Sequence, residues 1–225
     1  MKILIVEDDL EVIETISLSF RIGWPDTELV STRLGQEGID MVSTESPDMI
    51  ILDLGLPDID GFKVLQSIRK TSTVPIIVLT VRDEETDVVK ALDWGADEYI
   101  TKPFRQMELL ARTKAVTRRT NAPEENTKIP LGKYNFFPNL QQLQDGENRI
   151  RLTSTESRIL YYLLINKNKV VSYQELSNSI WGDDIPIPIE TLRVHIRHLR
   201  EKVGTDPSLR KLIGNKPRTG YILKI

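Results

Sequence analysis

The chain has 225 residues, a net charge of −3 and no cysteine, which excludes disulfides, a thiolate nucleophile and a cysteine-bound metal. Its content of 40% hydrophobic and 28% charged residues is typical of a globular protein with one or two domains. The apolar run at the amino terminus is too short for a signal peptide, and no run approaches the length of a membrane span. We therefore expect a cytoplasmic protein with no membrane partner.

The first half of the chain alternates short apolar runs with amphipathic stretches. The apolar runs predict five strands, at 3–6, 29–31, 49–52, 76–79 and 98–100. The amphipathic stretches predict helices at about 9–21, 35–45, 61–70, 84–94 and 105–119. Strands and helices in alternation imply a parallel sheet with helices on both faces, and five strands fit a flavodoxin-like, doubly wound α/β fold of order 2-1-3-4-5.

A polar segment without an apolar period divides the chain. Residues 120–128 predict a linker, which gives a first domain of 1–119 and a second of 129–225. Residues 1–120 hold 14 Lys and Arg against 22 Asp and Glu, a net of −8, whereas the remainder holds 16 against 11, a net of +5. Opposite charges predict different partners for the two halves, with nucleic acid a candidate for the basic one.

The second half begins with short strand patterns and turn signals and continues with three helices. Thr153 with Glu156, and Ser172 with Glu175, have the spacing of capping boxes at the starts of the first two helices. The third helix is predicted at about 188–203, and a hairpin closes the chain. This order of elements indicates a winged helix-turn-helix.

Polar residues follow four of the predicted parallel strands, at the edge where chemistry collects in an open sheet. Strand one ends in Glu7 and Asp8, strand three in Asp53 and strand four in Thr80, while Lys102 follows strand five. Carboxylates gathered at one edge repel one another unless a cation lies among them, and oxygen ligands suit Mg²⁺. A carboxylate nucleophile, a hydroxyl and an ammonium around Mg²⁺ could neutralise a transferring phosphoryl group and give an acyl phosphate.

Each of these residues has an ordinary explanation when it is taken alone. Asp8 or Asp9 could cap the first helix, Thr80 could be a loop hydroxyl, and Lys102 could be a solvated surface charge. The occurrence of the whole set at successive strand ends favours a functional site.

Several motifs in this order resemble the response regulators of the OmpR/PhoB type, over nearly all of the chain apart from the linker. They are Ile5-Val6-Glu7-Asp8-Asp9, Leu52-Asp53-Leu54-Gly55-Leu56-Pro57, Gly61, Leu79-Thr80, Gly95-Ala96-Asp97-Glu98-Tyr99 and Thr101-Lys102-Pro103-Phe104. The resemblance implies a receiver domain followed by a winged-helix DNA-binding domain.

For the receiver, the resemblance implies that Asp53 accepts phosphate from a sensor histidine kinase. Glu7, Asp8, Asp53 and the carbonyl of Gly55 would hold Mg²⁺. Thr80 and Lys102 would bind the phosphoryl oxygens. Thr80 and Tyr99 would form a switch pair in which the ring turns inward, although Tyr99 could also be a half-buried strand aromatic.

The resemblance further implies that activation pairs two receivers as a homodimer through the fourth helix, fifth strand and fifth helix. Asp97 would meet Arg119 of the second copy, and Glu98 would meet Arg112. The implied interface residues are Val89, Leu92, Asp97, Glu98, Ala111, Arg112 and Arg119.

In the second domain, the third helix carries a predicted buried stripe of Leu192, Ile196, Leu199 and Val203. The helical wheel places Glu190, Val194, Arg197, His198 and Glu201 on the opposite side. By resemblance, contacts to double-stranded DNA with direct-repeat half-sites would come from Thr191, Val194, Arg197, His198 and Arg200, and from Arg218 in the wing. The loop 182–188 could contact RNA polymerase. His195 and His198 lack further ligands, so zinc is not predicted.

Four positions of the receiver and of the third helix of the second domain depart from the family pattern. Val81 is larger than the usual residue and could narrow access to Asp53. Val88 replaces a basic residue that commonly pairs with the acid at Glu108. Glu190 replaces a basic residue and Arg193 a frequent acid, which should alter base preference.

The sequence thus predicts a phosphorylation-switched regulator of transcription and not an enzyme that turns over a substrate. One alternative is a Mg²⁺-dependent phosphatase that works through an aspartyl phosphate, which would need a second acid where Leu54 and Gly55 follow Asp53. The other is a DNA-binding regulator that dimerises without phosphate, an alternative that Val81 and Val88 keep open.

Overall fold

The computed structural model describes residues 1–117, 128–182, 189–203 and 212–225. The chain divides into two compact units, Met1–Thr117 and Arg118–Ile225. Apart from Lys128, the predicted linker lies outside the described residues.

The first unit is a five-stranded parallel sheet of order β2-β1-β3-β4-β5, which confirms the predicted topology. Its elements are β1 Lys2–Val6, α1 Leu10–Gly23, β2 Glu28–Thr32, α2 Gly35–Glu45, β3 Met49–Leu52, α3 Gly61–Thr71, β4 Ile76–Thr80, α4 Glu85–Asp93, β5 Glu98–Thr101 and α5 Gln106–Thr117. The central strands β3 and β4 are buried at every position, as their unbroken apolar sequences require.

Side chains alternate across this sheet and therefore supply two cores. Residues on one face of the strands pack with Ile16 and Phe20 of α1 and with Leu109 and Val116 of α5. On the other face, α2 packs with α3. A Cβ on Gly38 of α2 would come within 2.8 Å of the Val6 side chain, so glycine allows the helix to approach the sheet closely.

A buried ion pair lies at the edge of the sheet where β4 and β5 begin. Arg69 lies in the last turn of α3, and its Nη2 is 2.9 Å from Oδ2 of Asp97. The guanidinium also donates to the carbonyl oxygens of Gly95 and Val74, and the Asp97 carboxylate accepts from the amide of Ile76. These contacts join α3 to the beginnings of β4 and β5.

Within its described residues, the second unit contains two antiparallel sheets and three α-helices. Its elements are β6 Ile129–Leu131, β7 Tyr134–Phe137, β8 Gln142–Asp145, β9 Asn148–Arg151, α6 Ser154–Ile165, β10 Val170–Ser172, α7 Tyr173–Trp181, α8 Ile189–Val203, β11 Ile213–Lys216 and β12 Gly220–Leu223. One sheet has the order β6-β7-β8-β9, and the other has the order β10-β12-β11. Helices followed by a closing hairpin make this a winged-helix domain.

Local sequence signals explain where the first two helices begin. Thr153 and Ser172 each accept a hydrogen bond from the amide of the glutamate three residues on, and each glutamate accepts from the capping residue's own amide. Both predicted capping boxes are therefore confirmed. Gly220 begins β12, where an added Cβ would lie only 1.9 Å from the carbonyl oxygen of Val171.

None of the described helices is long and apolar enough to cross a membrane.

Candidate functional site

Three carboxylates meet at the carboxyl edge of the parallel sheet. Val6 of β1 lies beside Leu52 of β3 in register, so the next residues, Glu7 and Asp53, leave the sheet side by side. With Asp8 they form a cluster in which one oxygen from each residue lies within 4.8 Å of the others. Glu7 and Asp53 are buried and Asp8 is half-buried, whereas Asp9 caps α1 by accepting from the amide of Glu11.

Lys102 inserts its ammonium between two of these carboxylates. Its Nζ lies 2.6 Å from Oε2 of Glu7 and 3.1 Å from Oδ2 of Asp53. The Lys102 amide donates to the carbonyl oxygen of Thr80, which places the side chain at the end of the sheet. Burial raises the pKa of the Glu7 carboxyl to about 7, although the hydrogen bond from Lys102 opposes the shift.

The cluster fits a divalent cation. Carboxylate oxygens are the ligands that Mg²⁺ prefers, and the positive charge of Lys102 already lies where the acids need compensation. Gly55 stands beside Asp53, and an added Cβ there would lie 3.5 Å from Oδ2 of Asp53. Glycine thus leaves open the space next to the carboxylate, where the Gly55 carbonyl could join the ligands.

The two expected switch residues lie on neighbouring strands. Thr80 ends β4 and is fully buried, and its Oγ1 accepts a long hydrogen bond, 3.5 Å, from the amide of Arg82. Tyr99 on β5 is buried, and its hydroxyl donates to the carbonyl oxygen of Arg82 at 2.7 Å. Burial raises the pKa of Tyr99. Val81, between Thr80 and Arg82, is 69% exposed at the same edge.

The structure differs from the expected dimer face at two residues. Leu92 is 1% exposed and belongs to the buried side of α4, so it adds almost nothing to a surface patch. Asp97 is fully buried because it pairs with Arg69 of its own chain. Its pair with Arg119 of a second copy would require this ion pair to open, and Arg119 lies outside the described residues.

Arg112 is shared between two acids of its own chain. It lies 3.2 Å from Glu98 and 2.9 Å from Glu108, one helical turn away. Burial raises the pKa of Glu98, and Oε2 of this carboxylate has no hydrogen-bond partner among the described residues. Val88 and Val89 of α4 and Ala111 of α5 are half-buried.

On α8, the exposed stripe differs from the one that the helical wheel predicts. Glu190, Arg193, Arg197 and Glu201 are exposed, and Arg193 lies 3.1 Å from Glu190. Thr191 and Val194 are buried and present little surface to a ligand in this structure. The buried side of α8 is wider than the predicted stripe because it also includes Val194 and His195. A helical wheel predicts where the centre of a buried stripe lies, but not how many neighbouring residues the packing covers.

The remaining expected DNA contacts have partners within the domain or lie at the wing. His198 is half-buried, 3.9 Å from Glu156. Arg200 donates to the carbonyl oxygen of Ile213 and lies over the Tyr221 ring. Arg218 is exposed in the turn between β11 and β12 with a φ of 64°. Residues 183–188, most of the loop expected to contact RNA polymerase, lie outside the described residues.

Reasoning from the sequence missed two residues of these regions. Arg69 resembles a solvated base at the end of an amphipathic helix, and its partner is 28 residues away. Arg193 was noted as an exchange but not as a contact, although its spacing from Arg197, one helical turn, could have placed both on one stripe.

Comparison with known proteins matches both units. A family model described as response regulator receiver domain covers residues 3–114. A second, described as transcriptional regulatory protein, C terminal, covers residues 146–223. The response regulator MprA of Mycobacterium avium is 35% identical over 227 residues, which cover 100% of this chain and 98% of the relative. MprA of Mycobacterium tuberculosis is also 35% identical, with 100% and 97% covered.

Two solved structures align with the whole chain. Response regulator DrrB, an OmpR/PhoB homolog of Thermotoga maritima, is 26% identical, with 100% of this chain and 99% of that chain covered and a TM-score of 0.51. A RitR mutant is 23% identical, with 99% and 98% covered and a TM-score of 0.78, and it supports the fold alone.

Proposed function

Because the chain belongs to the response regulators of the OmpR/PhoB type, with a receiver and a DNA-binding domain, we propose that Asp53 is its phosphoryl acceptor. The observation that carries the proposal is the contact of Lys102 with both Glu7 and Asp53 inside the carboxylate cluster. The donor would be the phosphohistidine of a sensor kinase. A protein that regulates transcription on chromosomal DNA would act in the cytoplasm.

The transfer would proceed by attack of an Asp53 oxygen on phosphorus. The new O–P bond forms as the P–N bond to the kinase histidine breaks, and the departing imidazole takes a proton from solvent. The amide of Leu54 donates to Oδ1 of Asp53 at 2.7 Å, so Oδ2 is the oxygen directed toward Lys102. The Lys102 ammonium and the Thr80 hydroxyl would stabilise the phosphoryl oxygens.

Glu7, Asp8, Asp53 and the Gly55 carbonyl would hold Mg²⁺, which would neutralise charge on the transferring group. Lys102 brings a positive charge to the Glu7 and Asp53 carboxylates. With Mg²⁺ among the acids, the ammonium would be free to bind the phosphoryl group.

A phosphorylated receiver would pair with a second copy through α4, β5 and α5. Val89, Ala111, Glu98 and Arg112 remain the candidate contacts. Paired DNA-binding domains would then occupy two direct-repeat half-sites about one turn of DNA apart, roughly 10 bp. On α8, Arg197 is the exposed residue of the expected set and Arg193 is an added candidate. A contact with RNA polymerase stays a proposal from the resemblance.

A second candidate is a regulator that acts without phosphate. Tyr99 is buried and its hydroxyl donates to the carbonyl oxygen of Arg82, which is the inward position expected of an active receiver. In that case the receiver would dimerise and the protein would bind DNA before any transfer.

The test compares the full chain with and without Mg²⁺ and a small phosphoryl donor. We expect one acid-labile phosphate per chain, a shift from monomer to dimer in sedimentation, and tighter binding to DNA. Dimerisation and DNA binding that do not change on phosphorylation would support the second candidate. Steady release of phosphate from a phosphoester would instead identify a phosphatase, and no incorporation at all would contradict the proposal.

Val88→Arg should strengthen the dimer. Arg112 is shared between Glu98 and Glu108 within one chain, and a new base on α4 could pair with Glu108 of the second copy. An exposed ion pair contributes about 0–1 kcal/mol, so the dimer Kd should fall by up to about fivefold in sedimentation equilibrium. The gain should disappear in the double variant with Glu108→Gln, and a gain that persists would contradict this pairing.

Arg218→Asn should weaken DNA binding to a similar extent for all sequences. Asparagine tolerates the left-handed backbone of this position, so the wing turn should be retained. Loss of one phosphate contact should reduce the slope of log K against log salt by about one. Lys224→Ala removes the same charge from an exposed position near the carboxyl terminus and serves as the control. An affinity that Arg218→Asn leaves unchanged would remove Arg218 from the interface.

A further inference from the structure

The segment between β3 and α3 contains Asp53 at its start and a second aspartate that the proposed function does not use. Asp58 lies five residues after the acceptor and is exposed. Its Oδ1 accepts a hydrogen bond from the amide of Gly35 at 2.8 Å, and its Oδ2 accepts one from the amide of Gln36 at 3.0 Å. Both carboxylate oxygens are thus engaged by the first turn of α2.

This contact replaces a helix cap. The residue at the N-cap position of α2 is Leu34, whose side chain cannot accept a hydrogen bond, and the first amides of a helix need acceptors from elsewhere. Asp58, which is more than twenty residues further along the chain, provides these acceptors. The two amide hydrogen bonds, from Gln36 and Gly35, lower the pKa of Asp58, so the carboxylate is charged at neutral pH.

The same helix start packs against the segment that carries Asp58. A Cβ on Gly35 would come within 2.4 Å of Ile59 and 3.1 Å of Leu56 in this segment, and within 2.7 Å of Val64 in α3. Glycine at this position therefore allows α2 to lie directly on the segment. Asp58 fastens the contact with two charge-assisted hydrogen bonds, which are stronger than neutral ones.

The position of this segment matters to the proposed cation site. Glu7 and Asp53 follow directly from strands β1 and β3, whose register places them side by side, and Asp8 is one residue further along. Gly55 lies furthest of the four candidate ligands from its strand, three residues after Leu52 and within the segment, so its carbonyl direction depends on how the segment is held. Asp58 is three residues further along and ties that backbone to α2.

We propose that Asp58 is a positioning residue that holds the Gly55 carbonyl in place for Mg²⁺ by clasping the segment after Asp53 to the first turn of α2. The inference rests on the proposed function. It extends that function because a residue that does not touch the cation would contribute to the affinity for Mg²⁺.

The experiment measures Mg²⁺ binding by isothermal titration calorimetry on the unphosphorylated full chain. Loss of an outer residue that orients a ligand typically weakens metal binding by about tenfold or more, and we expect Asp58→Ala to raise the Kd for Mg²⁺ by about that factor. At saturating Mg²⁺, the rate of phosphorylation by a small donor should return close to the wild-type rate, because Asp53 and Lys102 are unchanged.

Asp58→Asn separates the clasp from the charge. An asparagine oxygen can still accept a hydrogen bond from one backbone amide, so the Kd of Asp58→Asn for Mg²⁺ should lie between those of wild type and Asp58→Ala. If the alanine variant does not fold, the asparagine variant still tests the inference. Asp40→Ala removes an equal charge from the exposed side of α2 and should bind Mg²⁺ as the wild type does.

Three results would overturn the inference. The first is a wild-type Kd in Asp58→Ala, even with a lower melting temperature, which would leave Asp58 a purely structural cap. The second is an asparagine variant as weak as the alanine variant, and the third is an equal loss in Asp40→Ala, since both would assign the effect to charge. If the wild-type chain itself bound no Mg²⁺, the proposed cation site would be wrong as well. The three results above would instead overturn the role of Asp58 and leave the cation site standing.

Discussion

Replacing Asp53 by asparagine should reduce phosphate incorporation to background. Asparagine has nearly the same shape, and its oxygen can still accept the hydrogen bond from the amide of Leu54. It lacks the negative charge and the nucleophilic oxygen that would face Lys102 at 3.1 Å. Intact-mass spectrometry of the full chain, after incubation with Mg²⁺ and a small phosphoryl donor, would measure the loss directly.

The matched control for this variant is Asp9→Asn. Asp9 is the neighbouring exposed acid that caps α1, and asparagine is an equally good capping residue. This control should take up one phosphoryl group as the wild type does. An Asp53→Asn chain that still gains an acid-labile phosphate would show that another residue is the acceptor.

Arg69→Ala should destabilise the first unit by about 3–5 kcal/mol, the usual result of removing one partner of a buried ion pair. Asp97 is fully buried and would lose the guanidinium that lies 2.9 Å from it. The carbonyl oxygens of Gly95 and Val74 would lose a donor at the same time. Urea unfolding of the full chain, followed by circular dichroism, would measure the change.

The next residue provides the control for this prediction. Lys70 is exposed in the same last turn of α3, so Lys70→Ala removes an equal charge from nearly the same place and should change stability little. A similar small effect in Arg69→Ala would mean that the ion pair contributes little beyond its surroundings. A large effect would also show that Asp97 is held inside its own receiver.

The fold of the first unit could be predicted because its signals are local. The apolar runs that became β3 and β4 are buried on both faces, and each lies between amphipathic helices, so strand order followed from general rules of α/β folds. The carboxylate cluster could be predicted for the same reason. Once the strands are parallel and in register, Glu7 and Asp53 must leave the sheet at neighbouring places.

The contacts that escaped prediction join residues far apart in the chain. Asp97 looked like a surface acid because nothing near it in sequence shows that Arg69 reaches across from α3. The role of Asp58 is not predicted by the sequence, because the start of α2 that it caps lies on a different part of the chain. On α8, the helical spacing of four apolar residues predicts which side of the helix is buried. The burial of Val194 and His195 depends on how closely that side is packed.

The exposed stripe of α8 has an implication for how this protein would search a genome. Two arginines stand between two glutamates, so the stripe carries no net charge. Affinity for arbitrary DNA comes mainly from phosphate neutralisation, and such a helix adds little of it. A genome offers on the order of 10⁶ or more competing sites, so weak retention at random sequences by this helix leaves more copies available for the operator.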